Sequence, residues 1–348
     1  MSGAPGAVPD DPKLPFLARA LDRAEMEPRL ARLLAPAGAP PPRIALEAAR
    51  LVRHKPGRRC LIDYALRVGD PPTPRALLGK CRARGADLRT LRVVQALRRA
   101  GLDGREGVLV PAAVGALPEL GMWLQEKVAG EAAWSGLAGP EGEALASRIA
   151  DALHRLHTAA VEAPRRHDAG DELRILAERL RALAEQRPAW SERLERLLAA
   201  CRRLAAGLPA APPCGIHRDF YPDQVIVNGA RLALIDLDLY CAGDPALDAG
   251  NLSAHLAEWA LRSRGDAGAL ADRERAFEER FLERSGAGRR GAVRAWTTLA
   301  LARLVPLGAG FPERRPFGGA LLELCEERLG LPARAPAAGA RARAAYSR

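Results

Sequence analysis

The sequence predicts an α+β fold with a small antiparallel β lobe followed by a larger, mainly helical lobe. Between about residues 45 and 127, apolar residues form short runs separated by turn residues, whereas after Gly130 they recur at helical spacing. A chain of 348 residues also exceeds one small core and suits one large domain or two lobes. We therefore expect four regions: an N-terminal extension with an accessory helix over 1–40, the β-rich lobe over 41–125, the helical lobe over 126–330, and a disordered tail over 331–348.

The composition is that of a globular protein in a reducing compartment. Hydrophobic residues make up 48% of the chain and charged residues 27%. No apolar run approaches the roughly 20 residues that a membrane span needs. The first residues, MSGAPGAVPDDPK, lack the basic and apolar regions of a signal peptide. Because the six cysteines show no CxxC spacing, we expect a cytoplasmic protein without a zinc site, a disulfide framework or a membrane partner.

The formal net charge of +11 raises the question of nucleic-acid binding. The arginines, however, are spread over many segments and stand beside acids, as in LADRERAFEERFLER. Such mixed charge is typical of a solvated helix face, so we expect no nucleic-acid partner. Only four lysines occur, and each indicates a position that the planar guanidinium of arginine would not fit.

The β-rich lobe is predicted from its local patterns. ARLVRHKPG, RRCLIDYALRV and RALLGKCRA are typical of three strands, the first two joined by a tight turn over 55–58. ADLRTLRVVQALRRAG follows as a helix that ends at Gly101. GVLVPAAVGAL and GMWLQEKVAG are then predicted as two further short strands.

The helical lobe is predicted to begin with EGEALASRIADALHRLH, whose apolar residues form one stripe. His154 and His157 on this helix belong to no recognisable motif, and we expect no catalytic role for them. A second amphipathic helix, SERLERLLAACRRLAAG, and a helical region over 250–330 complete this part.

Chemistry concentrates in GIHRDFYPDQVIV and the segment after it. VIV and ARLALI around Asn228-Gly229 indicate a hairpin with a type I′ turn. The open end of this hairpin should bring Gln224 and Asp236 together, with Asp219 and Asp238 close by. Clustered acids cost free energy unless a cation or a catalytic task offsets them.

The residue types in this cluster point to one kind of chemistry. Carboxylate and carboxamide oxygens are ligands that Mg²⁺ accepts beside phosphate oxygens. A further carboxylate that binds no metal could orient a hydroxyl and accept its proton. Together these groups are the apparatus of phosphoryl transfer.

HRDFYPDQVIV, LALIDLD and GDPALD resemble the catalytic segment of the aminoglycoside phosphotransferase and choline kinase-like family, distant relatives of protein kinases. The resemblance extends over about residues 45–325. It implies a two-lobed protein-kinase-like fold and a kinase that depends on ATP and Mg²⁺. The acceptor would be a hydroxyl of a small molecule, such as a sugar, an amino alcohol or an aminoglycoside-like compound.

The resemblance also assigns roles within the catalytic segment. Asp219 would be the catalytic aspartate that orients the acceptor hydroxyl, and Asp236 the main Mg²⁺ ligand. Gln224 stands in place of the metal-binding asparagine and is longer by one methylene. Arg218 replaces the usual glycine; it could pair with an acid or face solvent. In the GDPxxD element, the two aspartates, Asp244 and Asp248, would mainly buttress the loop.

Nucleotide-binding residues follow from the same resemblance. Lys80 stands where kinases place the lysine that binds the α- and β-phosphates. The turn that carries Lys55 and Arg58, with backbone N–H groups near Gly57, would lie over the phosphates. The backbone around Gln125–Lys127 matches the linker between lobes that binds adenine.

One expected residue is missing. The helix after Lys80 contains Asp87 but no glutamate to pair with the lysine, so either Asp87 replaces it or the lysine is held differently. The missing glutamate favours an alternative function, a nucleotide-binding pseudokinase or regulatory module. The intact set of Asp219, Gln224, Asp236 and Lys80 favours the enzyme. Candidate acceptor-pocket residues are His255, Glu258, Trp259, Trp296 and Arg303.

Overall fold

A computed structural model describes residues 9–332, so nearly all of the predicted disordered tail lies outside the described residues. The strands in chain order are β1 (Ile44–Lys55), β2 (Arg59–Val68), β3 (Thr73–Arg82), β4 (Val108–Leu109), β5 (Ala113–Leu117), β6 (Met122–Glu126), β7 (Glu131–Ala132), β8 (Cys214–Ile216), β9 (Val225–Asn228), β10 (Arg231–Leu234) and β11 (Cys241–Gly243). The helices are α1 (Leu17–Leu21), α2 (Arg23–Leu34), α3 (Leu88–Arg99), α4 (Trp134–Ala138), α5 (Gly142–Thr158), α6 (Ala169–Gln186), α7 (Ser191–Ala206), α8 (Pro245–Arg264), α9 (Ala271–Ser285), α10 (Arg290–Ala309) and α11 (Gly318–Arg328).

The chain forms two compact units that do not follow chain order. The β unit comprises the described residues up to Ala133, together with Ala159–Pro164 and Asp223–Tyr240. The helical unit comprises Trp134–Thr158, Arg165–Pro222 and the described residues from Cys241 onward. An antiparallel sheet in one unit and a mainly helical second unit confirm the predicted α+β fold class.

The β unit is built on a five-stranded antiparallel sheet in the order β1-β2-β3-β6-β5. Alternate residues of β2, including Ile62 and Tyr64, are buried, because successive side chains of a strand point to opposite faces. Met26 and Leu30 of α2 join the same core. Burying a side chain of this size stabilises the fold by about 1.5–3 kcal/mol.

A second, smaller sheet in the β unit has the order β4-β10-β9-β7. The segment GVLVPAAVGAL, predicted as one strand, is divided: β4 pairs with β10 in parallel, whereas β5 joins the five-stranded sheet. Pro111 lies between the two short strands. Since proline has no N–H to donate to a ladder, the strand cannot continue through this position.

The hairpin of β9 and β10 forms as predicted, but its turn lies one residue further along. Asn228 pairs with Arg231, so Gly229 and Ala230 form the turn, and of these two only Gly229 has positive φ. The predicted type I′ turn is therefore wrong, since that turn needs positive φ at both central residues; glycine at the first position is typical of type II′. In the observed register, Ile235 N–H donates to the Gln224 carbonyl (2.9 Å), which places Gln224 next to the strand end that leads into Asp236.

The helical unit buries the stripe predicted for α5: the side chains of Leu145, Ile149, Leu153 and Leu156 are all buried. α5 packs against α9, and α8 packs against α10. The short strands β8 and β11 pair beside them, and the loop after β8 carries Asp219. Among residues 9–332, no helix combines the length and the apolarity needed to cross a bilayer.

Candidate active site

Lys80 lies at the centre of a charged cluster in the β unit. Its Nζ is 2.9 Å from Asp236 Oδ1 and 2.8 Å from Asp238 Oδ1. The ammonium also lies 5.5 Å from the ring centroid of Trp123, whose side chain belongs to the core. Burial by itself would lower the pKa of Lys80, but the two carboxylates raise it above its ordinary value. The lysine is therefore held as a cation.

Asp238 received no role from the sequence, yet it anchors this cluster. Besides Lys80, it contacts Arg82 Nη2 at 2.6 Å and Arg59 Nη1 at 3.8 Å. Burial would raise the pKa of Asp238, but Lys80 and Arg82 lower it to about 2. A mostly buried, ionised carboxylate with three cationic neighbours thus fixes the lysine. The only signal in the sequence is the second aspartate of IDLD.

Asp87 does not pair with Lys80. Its carboxylate caps α3 by accepting from Thr90 N (3.1 Å) and from the Thr90 hydroxyl (2.8 Å). It also forms an ion pair with Arg82 Nη1 (2.9 Å). The question left open by the missing glutamate is answered by the cluster itself, because Asp236 and Asp238 hold the lysine.

A cavity of about 70 Å³ adjoins this cluster in the β unit. Its charged lining consists of Arg53, Arg59, Lys80, Arg82, Asp236 and Asp238. Cations outnumber carboxylates, so the cavity suits an anionic group such as a phosphate.

The turn between β1 and β2 carries more positive charge. Burial and the neighbouring Arg59, Arg53 and Arg58 lower the pKa of Lys55. Several positive charges therefore lie close together here, with little negative charge to balance them. The predicted backbone donor at this turn is already engaged: Gly57 N–H donates to Asp11 Oδ2 at 2.8 Å. The side chains of the turn therefore remain available to a ligand, whereas the Gly57 amide does not.

The predicted adenine-binding linker is partly occupied by sheet hydrogen bonds. Gln125 lies in β6 between β3 and β5, and Lys127 N–H donates to Ala76 O at 2.8 Å. The Lys127 ammonium pairs with Asp63 at 2.6 Å. Val128 is the first linker residue whose N–H has no backbone partner within residues 9–332. A cavity of about 430 Å³ beside this linker is lined by the side chains or backbone of Glu126, Lys127, Val128, Ala129, Ile226 and Ala233, among others.

The two predicted metal ligands both lie at the open end of the β9–β10 hairpin. The Asp236 side chain is 40% exposed, and within residues 9–332 its one hydrogen bond is from Lys80 to its Oδ1. The Gln224 side chain is buried, yet its carboxamide makes no hydrogen bond to the part of the chain that the structure describes. One carboxylate oxygen and one carboxamide oxygen thus remain for a hard cation, which fits Mg²⁺ that also binds phosphates. No group of three or more His, Cys, Asp or Glu residues within 9–332 forms a metal-binding arrangement of its own.

In the helical unit, Asp248 holds the loop that carries Asp219. The Asp248 carboxylate is fully buried and accepts from His217 N (2.8 Å), Arg218 N (2.6 Å) and His157 Nε2 (2.9 Å). These bonds stabilise Arg218 in the left-handed region, at φ 71°. His157, for which the sequence suggested no partner, is therefore a structural residue beneath the loop.

Asp219 itself is 40% exposed, and its Oδ1 lies 3.9 Å from Arg303 Nη2. Arg303 donates to Asn251 Oδ1 (2.9 Å), and Asn251 donates in turn to the Arg218 carbonyl (2.7 Å). The Arg218 guanidinium faces an acid: its Nε is 3.7 Å from Glu172 Oε1. Of the two possibilities that the sequence left open for Arg218, the structure shows the acidic neighbour.

The remaining candidates for the acceptor pocket have mixed environments. His255 stacks on Tyr221 with ring centroids 4.4 Å apart, and Trp259 stacks on Trp134 at 5.3 Å. Trp296 is buried, and its indole N–H donates to the cap residue of α8, Asp244, at 2.8 Å. Trp296 is thus a core residue. The buried Glu258 pairs with Arg262 at 3.3 Å.

A β unit with a lysine held by two aspartates and a helical unit with a buttressed aspartate loop define a kinase-like phosphotransferase fold. Solved structures share it. A choline/ethanolamine kinase family protein from Mesorhizobium loti superposes with a TM-score of 0.56 at 17% identity, over 77% of this chain and 85% of that one. A glucosamine kinase gives 0.58 at 17% identity, over 90% and 86%. A spectinomycin phosphotransferase in complex with ADP and spectinomycin gives 0.53 at 11%, over 82% and 93%.

Residues 52–293 match the model of the phosphotransferase enzyme family, and the chain belongs to that family. Among curated protein sequences, none matches the chain. The resemblance seen in HRDFYPDQVIV, LALIDLD and GDPALD is thereby confirmed, as is the prediction that the protein is a phosphotransferase.

Proposed function

We propose that this protein transfers the γ-phosphoryl group of ATP, in the presence of Mg²⁺, to a hydroxyl of a small molecule. The observation that carries this proposal is the anchoring of Lys80 by Asp236 and Asp238 beside a small cavity with excess positive charge. Kinase-type sites use such a lysine to bind nucleotide phosphates. Membership of the phosphotransferase enzyme family supports the same reaction class.

In this proposal the β unit binds the nucleotide. Lys80 neutralises the α- and β-phosphates, and Lys55 and Arg58 add positive charge from the turn between β1 and β2. The base lies against the linker that follows Gln125, with Val128 N–H as the first free donor and the cavity of about 430 Å³ as the space for it. That volume falls within the usual range for small-molecule sites, about 300–1,000 Å³.

Gln224 and Asp236 are the residues that would hold Mg²⁺. When bound, the ion neutralises charge on the phosphates and orients them for transfer. Asp236 adopts a left-handed conformation at φ 59°, which aspartate tolerates better than most residues. Its Oδ1 accepts a hydrogen bond from Lys80, so the lysine also orients this carboxylate.

Asp219 performs the acceptor chemistry. Its exposed carboxylate accepts a hydrogen bond from the acceptor hydroxyl and takes the proton as the oxygen attacks the γ-phosphorus. A new P–O bond forms to the acceptor, and the bond between the γ-phosphorus and the oxygen of ADP breaks. The acceptor class expected from the sequence comprises sugars, amino alcohols and aminoglycoside-like compounds.

The test is the Asp219→Asn variant. We expect it to lower turnover by about 10²–10⁴-fold, because the amide cannot accept the proton. Its affinity for MgATP should stay within a few-fold of wild type. Release of ADP with a panel of hydroxyl compounds measures the first quantity, and calorimetric titration with MgATP the second.

Asp266→Asn, in an exposed turn of the helical unit, serves as the control and should keep full activity. Full activity in Asp219→Asn would refute the assignment of the catalytic aspartate. Binding of MgATP by the wild type without turnover on any hydroxyl compound would instead support the alternative of a pseudokinase or regulatory module.

A further inference from the structure

We propose that the acceptor carries an anionic group, a carboxylate or a phosphate, close to the hydroxyl that is phosphorylated, and that Arg303 and Arg179 bind it. This inference rests on the proposed function, since it takes Asp219 as the residue that orients the acceptor. It goes further by naming the charge of the substrate. The observations that carry it all lie within the helical unit.

Arg303 is buried but poorly satisfied. It is only 9% exposed, and a guanidinium has five N–H donors. Within residues 9–332 it makes one hydrogen bond, from Nη2 to Asn251 at 2.9 Å, and its Nε–H has no acceptor. Its carboxylate neighbours, Glu172 and Asp219, lie at 3.8 and 3.9 Å, beyond hydrogen-bond distance. A buried cation costs free energy unless its donors are paired, so the structure leaves this one able to bind an additional anion.

The position of Arg303 is fixed relative to the catalytic aspartate. Asn251 joins the guanidinium to the Arg218 carbonyl, and Arg218 is the residue before Asp219. A donor that is oriented before the ligand arrives loses little entropy when it binds. An anionic group held by Arg303 would thus lie within a few ångströms of the carboxylate that orients the hydroxyl.

Around Asp219, the guanidinium groups of Arg303, Arg218 and Arg179 stand against the carboxylates of Asp219 and Glu172, apart from Asp248, which is fully buried beneath the loop backbone. The Glu172 carboxylate also has neighbours other than Arg303: His167 Nε2 lies 2.6 Å and Arg218 Nε 3.7 Å from its Oε1. Arg179 adds another guanidinium from α6; it is exposed and forms no ion pair with the described residues. Arg179 follows Glu172 by seven residues on α6, so the two side chains lie on the same face of the helix. Partial burial and the charge of Arg303 lower the pKa of Arg179, whereas Glu172 and Asp219 act in the opposite direction. An anionic acceptor would relieve this repulsion.

The same charges disfavour a polycationic acceptor. Like charges a few ångströms apart repel each other, and they do so more strongly near a protein surface than in bulk water. His255, the aromatic neighbour of Tyr221, adds no negative charge: burial, Arg303 and Arg314 hold its pKa well below the ordinary value, so it is neutral. Aminoglycoside-like compounds are therefore the least suited of the acceptor classes considered.

Matched acceptors that differ in charge test the inference. Glycerol is compared with glycerate and glycerol phosphate, and glucose with glucuronate, glucose 6-phosphate and glucosamine, each with MgATP and ADP release as the readout. We expect at least one anionic member to exceed its neutral partner by about 10-fold or more in kcat/KM, which corresponds to about 1.4 kcal/mol. The carboxylate and phosphate arms distinguish the two anions. Preference for neutral or cationic members in both series would overturn the inference.

Variants separate substrate binding from a structural role. Arg303→Gln and Arg179→Gln should lose the preference for the anion while keeping the KM for ATP, and Arg303→Lys should keep part of it. Arg181→Gln, also exposed on α6, is the matched control and should keep the full preference. A merely structural role would lower kcat/KM for anionic and neutral acceptors equally, and that result would refute the inference. Because Arg179 is exposed, its variant decides the matter even if Arg303→Gln does not fold.

The experiment also distinguishes this inference from the proposed function. Phosphorylation of neutral acceptors that depends on Asp219, without any preference for anions, would refute the inference alone. Absence of turnover with every acceptor, in a protein that binds MgATP, would refute both.

Discussion

At the scale of single residues, the cluster around Lys80 shows how one carboxylate can replace another from a different part of the chain. The glutamate expected on the helix after Lys80 is absent, and Asp238, which lies 158 positions further along the chain, anchors the lysine instead. Asp87, which precedes that helix, instead caps it and pairs with Arg82. The lysine keeps its charge because two carboxylates, the mostly buried one of Asp238 and the partly exposed one of Asp236, raise its pKa.

This arrangement predicts different effects for two conservative substitutions. Asp238→Asn should raise the KM for ATP by about 10-fold or more, because a buried charge pair that loses one partner costs several kcal/mol and frees Lys80 to move. Asp87→Asn should change it less than about threefold, since asparagine caps a helix as well as aspartate does. Steady-state kinetics with varied ATP measure both. Equal effects of the two variants would contradict the role given to Asp238.

At the scale of elements, the start of α8 positions the loop that carries Asp219. Asp244 caps the helix, and Asp248, one turn further on, faces inward and binds the loop backbone and His157. A single helix end therefore holds the loop in a conformation that its sequence alone would not favour, with a non-glycine residue, Arg218, at positive φ.

Asp248→Asn tests this support. The asparagine side chain would place its NH₂ group against one of the N–H groups that now donate to the carboxylate. We therefore expect the free energy of unfolding to fall by about 1–3 kcal/mol. Turnover should fall as well, because the loop carries Asp219. Asp168→Asn, at the cap of α6, is the control and should change stability by only a few tenths of a kcal/mol. Urea unfolding and ADP release give the two readouts; wild-type values for Asp248→Asn in both would argue against the buttress.

At the scale of the whole molecule, each unit contains a mostly buried acid whose ionised form is stabilised by the fold. In the β unit this is Asp238, with a pKa of about 2. In the helical unit it is Glu172: burial would raise its pKa, but the hydrogen bond with His167 and the charges of Arg303 and Arg218 lower it to about 2. A folded-state pKa below the unfolded one stabilises the protein above the unfolded value, and this contribution is lost as the pH falls through the folded value.

We therefore expect stability to fall in acid, between about pH 4.5 and pH 2, with a contribution of roughly 3 kcal/mol from Glu172. Glu172→Gln should be less stable than wild type at about pH 6 and should lose less on acidification, because the titrating group is gone. Urea unfolding at about pH 6 and about pH 3, followed by tryptophan fluorescence, measures both effects. An unchanged pH dependence in the variant would show that another group causes the acid sensitivity.

Much of the fold could be predicted from local sequence. The run RRCLIDYALRV marked β2, helical spacing marked the buried stripe of α5, and Gly101 marked the end of α3. Two details of the secondary structure were predicted wrongly. Asn228-Gly229 indicated the turn, but the register moved it by one residue, and Pro111 divided a segment whose apolar run indicated a single strand.

Asp219, Gln224 and Asp236 were predicted as site residues from their types and from their spacing in the local sequence. Their partners could not be found in the same way. Asp238 meets Lys80 across 158 positions of sequence, His157 meets Asp248 across 91, and Arg303 meets Asn251 across 52. No periodicity links such residues, because they become neighbours only when separate elements pack.

By itself, the sequence determined most of the secondary structure, the fold class and the segment that carries the phosphotransferase motif, because these depend on spacing within a few turns of chain. Only the tertiary structure decided which carboxylates hold Lys80, which helix end supports the loop that carries Asp219 and which charges surround Asp219. These features depend on distances between side chains from remote segments, and electrostatic and hydrogen-bond energies change steeply over those few ångströms.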